Sequence, residues 1–159
     1  MTDQVSGDAN NRGLDTLPFQ IINQSGLKAP LYIWIQGIIP DTNEYVYVSD
    51  LKGNVTDIPK SSNKLTLSMA LPADDTTIML PRLISLRVYL SLGEQLFTTT
   101  NDLGIPNSPA GWLPDGPLQG ENYDTLFDFF ELTWTRDNAT TTSLGANLSQ
   151  LDFLGLALQ

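Results

Sequence analysis

The sequence predicts an all-β fold, and three observations carry that prediction. Apolar runs of strand length alternate with turn residues from Leu17 onward, several of these runs alternate with period two, and no window combines a 3.6-residue periodicity with a helix cap. The spacing of runs and turns is that of a β-sandwich or barrel of about ten antiparallel strands.

The elements follow in order. LPFQIIN is closed by QSG, PLYIWIQGI by PDTN, and EYVYVSD by KGN, after which VTDI begins. In EYVYVSD, Tyr45, Tyr47 and Ser49 share one face and Val46 and Val48 the other. Leu31 to Ile35 is apolar on both faces, which predicts a central strand. KLTLSMAL, TTIMLP, RLISLRVYLSLG and a short EQLFTT are rich in β-formers, and Pro59, Pro72 and Pro81 sit at the edges of such runs, where a missing N–H is tolerated. Residues 101–124 hold four prolines and four glycines and read as a long ordered loop, a kind of segment that often carries function. TLFDFFELTWT and LSQLDFLGLAL read as the two closing strands, and residues 1–15 as a polar tail before one domain over 16–159.

Composition narrows the chemistry. With 159 residues, 41% hydrophobic and 16% charged, the chain is long enough to bury a core as one domain. Its net charge of −10, from 18 acidic and 8 basic residues, repels phosphates and argues against nucleic acid or an anionic membrane as partner. No cysteine means no disulfide and no thiolate chemistry; no histidine removes the commonest general base and metal ligand, so acid–base chemistry has to rest on carboxylates. No run approaches the roughly 20 apolar residues of a membrane span, and the polar start does not read as a signal peptide. Asp74/Asp75 and Asp124/Asp128 lack the spaced oxygens of a calcium loop and read as solvated turns, so no metal or cofactor is expected. Sequons begin at Asn23, Asn54, Asn138 and Asn147.

Two carboxylates stand out. In the strand Phe127 to Thr135, Phe130, Leu132 and Trp134 form the core face, which puts Glu131 on the other face with Phe129, Thr133 and Thr135. A carboxyl desolvated beside a ring favours its protonated form and suits a general acid; the competing reading is a glutamate on a solvated strand face. Asp152, 152 − 131 = 21 residues later, lies between Leu151 and Phe153 and is costly unless paired or facing a cleft; a turn or edge aspartate bonded to backbone amides is the competing reading. Glycoside hydrolysis needs such a pair, one carboxyl to protonate the leaving oxygen and one to activate water or attack the sugar.

Four segments resemble, in the same order, the thaumatin-like β-1,3-glucanases of glycoside hydrolase family 64: LPFQIINQSG, LPRLISLRVYLSLGEQLF, NYDTLFDFFELTW and NLSQLDFLGLAL. The resemblance spans Leu17 to Leu158. It implies a thaumatin-like β fold, secretion, a β-1,3-glucan or related polysaccharide as partner, and an inverting mechanism with Glu131 as acid and Asp152 as base. It places Thr133 and Ser149 against the sugar. Thr135 stands where the family often has asparagine, and with Phe129 completes the expected sugar contacts. TRDNATTTSLGA looks longer than the family's usual connection between the two carboxylates. Family members carry a second domain after the β domain, which would supply the other wall of the groove; this chain stops at Gln159, where that domain would begin. Two further readings are a non-catalytic carbohydrate-binding module using aromatics such as Tyr45, Tyr47 and Trp112, and a structural subunit that assembles with copies of itself.

Overall fold

A computed structural model describes residues 12, 14–23, 26, 28–107, 122, 125–136 and 142–147, with the backbone alone at 135, 136, 142 and 147. The described residues form nine strands and no helix: β1 Thr16–Ile21, β2 Leu31–Ile38, β3 Tyr45–Val48, β4 Val55–Asp57, β5 Met69–Ala70, β6 Thr76–Pro81, β7 Ile84–Leu92, β8 Leu126–Arg136 and β9 Thr142–Asn147. β1 and β6 make a two-stranded sheet; the large sheet runs β4-β3-β2-β7-β8-β9, with β5 on β2 beside β3. Every pairing is antiparallel. The sheets pack as a sandwich, and no closure into a barrel occurs among the described residues.

Alternation in the strands splits the large sheet into two faces. Ile33, Ile35, Val46, Val48, Leu86, Val88, Phe130 and Leu132 point to the first face and meet Ile78 and Leu80 of β6. Phe19 of β1 closes on Phe130 with ring centroids 5.8 Å apart. On the second face, Trp34, Tyr89 and Phe127 pack with Ile58, Leu67 and Leu96, and Tyr45, Tyr47 and Phe129 lie against them half-buried. A sheet apolar on both sides at its centre is why β2 lacks the polar alternation of a half-exposed strand. Leu14, just before β1, is already part of the core, and Arg12 ion-pairs with Glu44 and Asp57.

Three segments depart from their expected form. EQLFTT is not a strand; it makes only the isolated bridge Leu65↔Thr98, with a second bridge at Thr100↔Pro106. The side-chain amide of Asn122 takes the place of a neighbouring strand at Phe97, accepting from its N–H and donating to its carbonyl, both at 2.9 Å. KLTLSMAL contributes only β5 and one residue of that bridge. Conversely, TSLGAN, expected to be part of a connection, is β9, held along β8 from Thr142↔Arg136 to Asn147↔Glu131. Its few β-formers suit an exposed outer strand, where Ser143 to Ala146 are all open to solvent. Asp128 also differs from the solvated turn expected of it: it is a β8 residue, 1% exposed, whose carboxylate accepts from the Phe129 N–H. LSQLDFLGLAL and most of the 101–124 loop lie outside the described residues.

Two backbone features set the geometry. Between Gln36↔Arg87 and Ile38↔Ile84 the register slips, so Gly37 faces both Ser85 and Leu86. Ser85 takes the left-handed conformation at φ 50°, as a bulge of this type requires. At Gly37 a Cβ would stand 2.8 Å from Leu83 Cβ, so only glycine lets Leu83 into the core here. The turn from β3 to β4 is built on Asp50, whose carboxylate accepts from Lys52 N (2.9 Å), Asn54 N (3.1 Å) and Asn54 Nδ2 (2.7 Å). Burial works against the charge on Asp50, but these bonds outweigh it and hold its carboxyl below the usual value. Asn54 is buried with its amide nitrogen engaged, so its sequon is inaccessible in the folded protein. The same turn ties the two sheets together, because Leu51 O accepts from Met79 N of β6 at 3.0 Å.

Gly53, at φ 82° in that turn, leaves only 2.1 Å between a Cβ and Met79 O. Gly53→Ala is expected to destabilise the protein by about 2 kcal/mol or more, from left-handed strain and the steric clash together, read by urea denaturation. Asp50→Asn is expected to lower stability at neutral pH. Because the native carboxyl titrates below the ordinary aspartate value, its contribution is complete above that ordinary value and is lost as pH falls through the native one. The gap between wild type and variant should therefore close in acid, in denaturation curves taken from pH 7 down to about pH 2.

Candidate active site

The second face of the large sheet changes character along its strands. One row runs Tyr32, Ser91, Phe127 across β2, β7 and β8; the next runs Trp34, Tyr89, Phe129; the third runs Gln36, Arg87, Glu131. The third row continues to Tyr47 on β3 and Asn147 on β9. The middle row is an aromatic stack, with Trp34 and Tyr89 centroids 4.5 Å apart and Tyr89 and Phe129 5.3 Å apart. Apolar cover thins toward the third row, where the polar groups collect. Because residues two apart in a strand share a face, Thr133 follows Glu131 on this side and is exposed.

Glu131 is therefore on the face expected of it, opposite Phe130, Leu132 and Trp134, which are all buried. Its surroundings match the competing reading, a glutamate on a solvated strand face. The carboxyl is not desolvated among aromatics: the side chain is 42% exposed, and Oε1 accepts from Arg87 Nε at 2.7 Å. Arg87 is the direct cross-strand partner of Glu131. Burial works against the guanidinium charge, yet Tyr89, through its charge and a side-chain hydrogen bond, and the Glu131 carboxylate together raise the Arg87 pKa above its already high value. Arg87 is thus a permanent cation between a phenol and a carboxylate.

Among the described residues, two polar atoms close to this row have no hydrogen-bond partner. Gln36 is 7% exposed with no hydrogen bond to Oε1, and Trp34 is 1% exposed with none to Nε1. Each is a buried polar atom whose bond to water has not been replaced, a cost of about 1 to 3 kcal/mol. Among the described residues no cluster of three or more acidic side chains is arranged to hold a metal ion.

Of the expected site residues, the structure brings Glu131, Thr133 and Phe129 to one face. Phe129 is half-buried and stacked on Tyr89, so its ring is part of the floor beneath the polar row. Thr135 pairs with Ser143 through its backbone; its side chain, Ser149, Asp152 and Trp112 lie outside the described residues. Tyr45 and Tyr47 are half-buried and pack against the second cluster. Sequence reasoning missed Arg87, Gln36 and Tyr89. Arg87 carried a readable signal, a charge in the middle of the apolar run LISLRVYLSL, where a cation needs a partner.

Comparison with known proteins gives this face a context. Residues 15–159 match the model of glycoside hydrolase family 64, described as β-1,3-glucanase. Among solved structures, the chain is similar to a laminaripentaose-producing β-1,3-glucanase in complex with laminaritetraose, at 27% identity and a TM-score of 0.64, covering 76% of this chain and 33% of that one. It shares its fold with the Paenibacillus barengoltzii laminaripentaose-producing enzyme complexed with laminarihexaose (22% identity, TM-score 0.66, 86% and 34% covered). It also shares it with a Clostridium beijerinckii β-1,3-glucanase domain (24%, TM-score 0.64, 86% and 40% covered). No curated protein matches it in sequence. The chain spans 33 to 40% of the length of these solved relatives. With the family model matching nearly the whole chain, this protein belongs to family 64 of the glycoside hydrolases.

Proposed function

We propose that this chain forms a single β domain over residues 16–159 that binds β-1,3-glucan on the second face of its large sheet and hydrolyses it with inversion. Glu131 is the general acid, Asp152 the general base, and Thr133, Thr135, Ser149 and Phe129 hold the sugar. The position of Glu131 carries the reading: a carboxyl open to solvent, on the one face of the sheet where polar groups replace apolar cover, with the exposed hydroxyl of Thr133 beside it. Relatives crystallised with laminaritetraose and laminarihexaose support β-1,3-glucan as the ligand class. A second domain or a second copy of the chain would supply the opposite wall of the groove.

The pairing of β8 with β9 sets a condition on the base. Partners in this ladder sum to 131 + 147 = 278, so odd residues of β9 share the face of Glu131. Ser149 has the matching parity and Asp152 does not. Continued in this register, position 152 would fall opposite Leu126, five residues along β8 from Glu131 and on the other face, so Asp152 can serve Glu131 only if the chain leaves this ladder after Asn147. In an inverting enzyme the two carboxyls stand about 6.5 to 9.5 Å apart, leaving room for the attacking water.

On a soluble β-1,3-glucan, Glu131→Gln and Asp152→Asn are each expected to lower kcat by about 10² to 10⁴, and the first sugar released should carry the inverted anomeric configuration by proton NMR. Product of retained configuration overturns the mechanism. If wild type binds glucan in calorimetry but releases no sugar, the domain is a binding module. Thr133→Val should cost roughly tenfold in kcat/KM through one lost sugar hydrogen bond, leaving the melting temperature unchanged.

A further inference from the structure

Resting on the assignment of Glu131 as the acid, we infer that Arg87 is a positioning residue with two seats: it holds Glu131 Oε1 in the free protein and turns to Gln36 Oε1 when the acid takes up its proton. Arg87 lies between its two possible partners in the same cross-strand row, Glu131 on β8 and Gln36 on β2. It bonds the first at 2.7 Å. The second presents a buried acceptor with no hydrogen-bond partner among the described residues. Cross-strand neighbours stand about 5 Å apart at Cβ, well within the swing of an arginine side chain.

The chemistry requires such a release. A general acid must hold a proton before it can give one to the glycosidic oxygen, and protonation removes the opposite charge that holds the guanidinium at Glu131 Oε1. A cation with only one seat would oppose the protonated acid throughout the cycle. With a second seat, Arg87 first fixes the rotamer of Glu131 and then withdraws to an acceptor that is otherwise unsatisfied. No proton passes through the guanidinium; the proton moves from solvent to Glu131 and then to the leaving oxygen. Tyr89, hydrogen-bonded to Arg87 and stacked on Trp34, anchors the pivot in both positions.

Among the described residues, the titratable and charged groups that β2, β3, β7 and β8 turn to this face are Arg87 and Tyr89 of β7, Glu131 of β8, Tyr45 and Tyr47 of β3, and Tyr32 of β2; in the segments packed over it, Lys64 lies over the Phe97 ring. Arg87 is the one cation that these four strands turn to the face among the described residues, so removing it and trapping it should act in opposite directions. With a soluble β-1,3-glucan as substrate, Arg87→Met is expected to move the alkaline limb of the kcat profile to higher pH and to lower kcat more than tenfold while KM changes less than threefold. Gln36→Leu, which removes the second seat, should move the same limb to lower pH. Limbs that move together, or not at all, overturn the inference.

A crystal structure of Glu131→Ala in the full chain tests the second seat without any turnover. A guanidinium nitrogen is expected within hydrogen-bond distance of Gln36 Oε1. A guanidinium left over the vacated position, or turned to solvent, overturns the inference. A wild type that releases no sugar at any pH defeats the hydrolase reading instead, and the second seat then stands or falls by this structure.

Discussion

Strand β7 is the member on which the rest of the structure depends. It pairs along most of its length with β2 on one side and β8 on the other, seven residue pairs with each. Because side chains alternate along a strand, these two ladders decide together which residues of three strands enter the core and which line the second face. A slip of one residue in either would move Arg87 or Glu131 into the first core, at the cost of burying a charge. Register and site are therefore fixed by the same pairings, and the Arg87–Glu131 contact is a cross-strand pair before it is anything chemical.

The bulge at Gly37 and Ser85 shows how that register is kept at the end of the sheet. Leu83, fully buried, needs the space that a Cβ on Gly37 would fill, and the extra residue in β7 lets Leu86 regain the core face before Arg87 begins the polar row. Bulges raise local twist and re-aim side chains. Here the irregular stretch ends one residue before the cation that holds the candidate acid.

Much of this was readable from the chain. Period-two patterns gave the phase of β3 and β8, so the outward position of Glu131 followed from the inward positions of Phe130, Leu132 and Trp134. The doubly apolar run at Leu31 to Ile35 marked the central strand because each face of the sheet has its own apolar cluster. What did not follow are the features set by non-local partners. EQLFTT has the composition of a strand but meets the amide of Asn122 in place of a strand backbone. TSLGAN has poor strand composition but is carried by its hairpin with β8. The environment of Glu131 depends on which residue of β7 falls opposite it, and that register is decided by packing across two sheets. A neighbouring phenylalanine in the sequence suggested desolvation; the ladder supplied an arginine.

The energetics of that arginine suit a movable part better than a strut. With both side chains about two-fifths exposed, water screens the pair, and its contribution to stability falls near the 0 to 1 kcal/mol of surface ion pairs. The carbonyl of Gln36, without a donor among the described residues, carries a larger debt, because a buried acceptor without a donor costs more than a solvated pair contributes. The free protein tolerates that debt, and the attraction between the two formal charges decides where the guanidinium rests. Once Glu131 is protonated the attraction is gone, and the neutral acceptor across the row becomes the stronger partner. A proton on Glu131 and a hydrogen bond on Gln36 thus favour one another. The coupling arises from an acceptor, unsatisfied among the described residues, placed two strands away from the candidate acid.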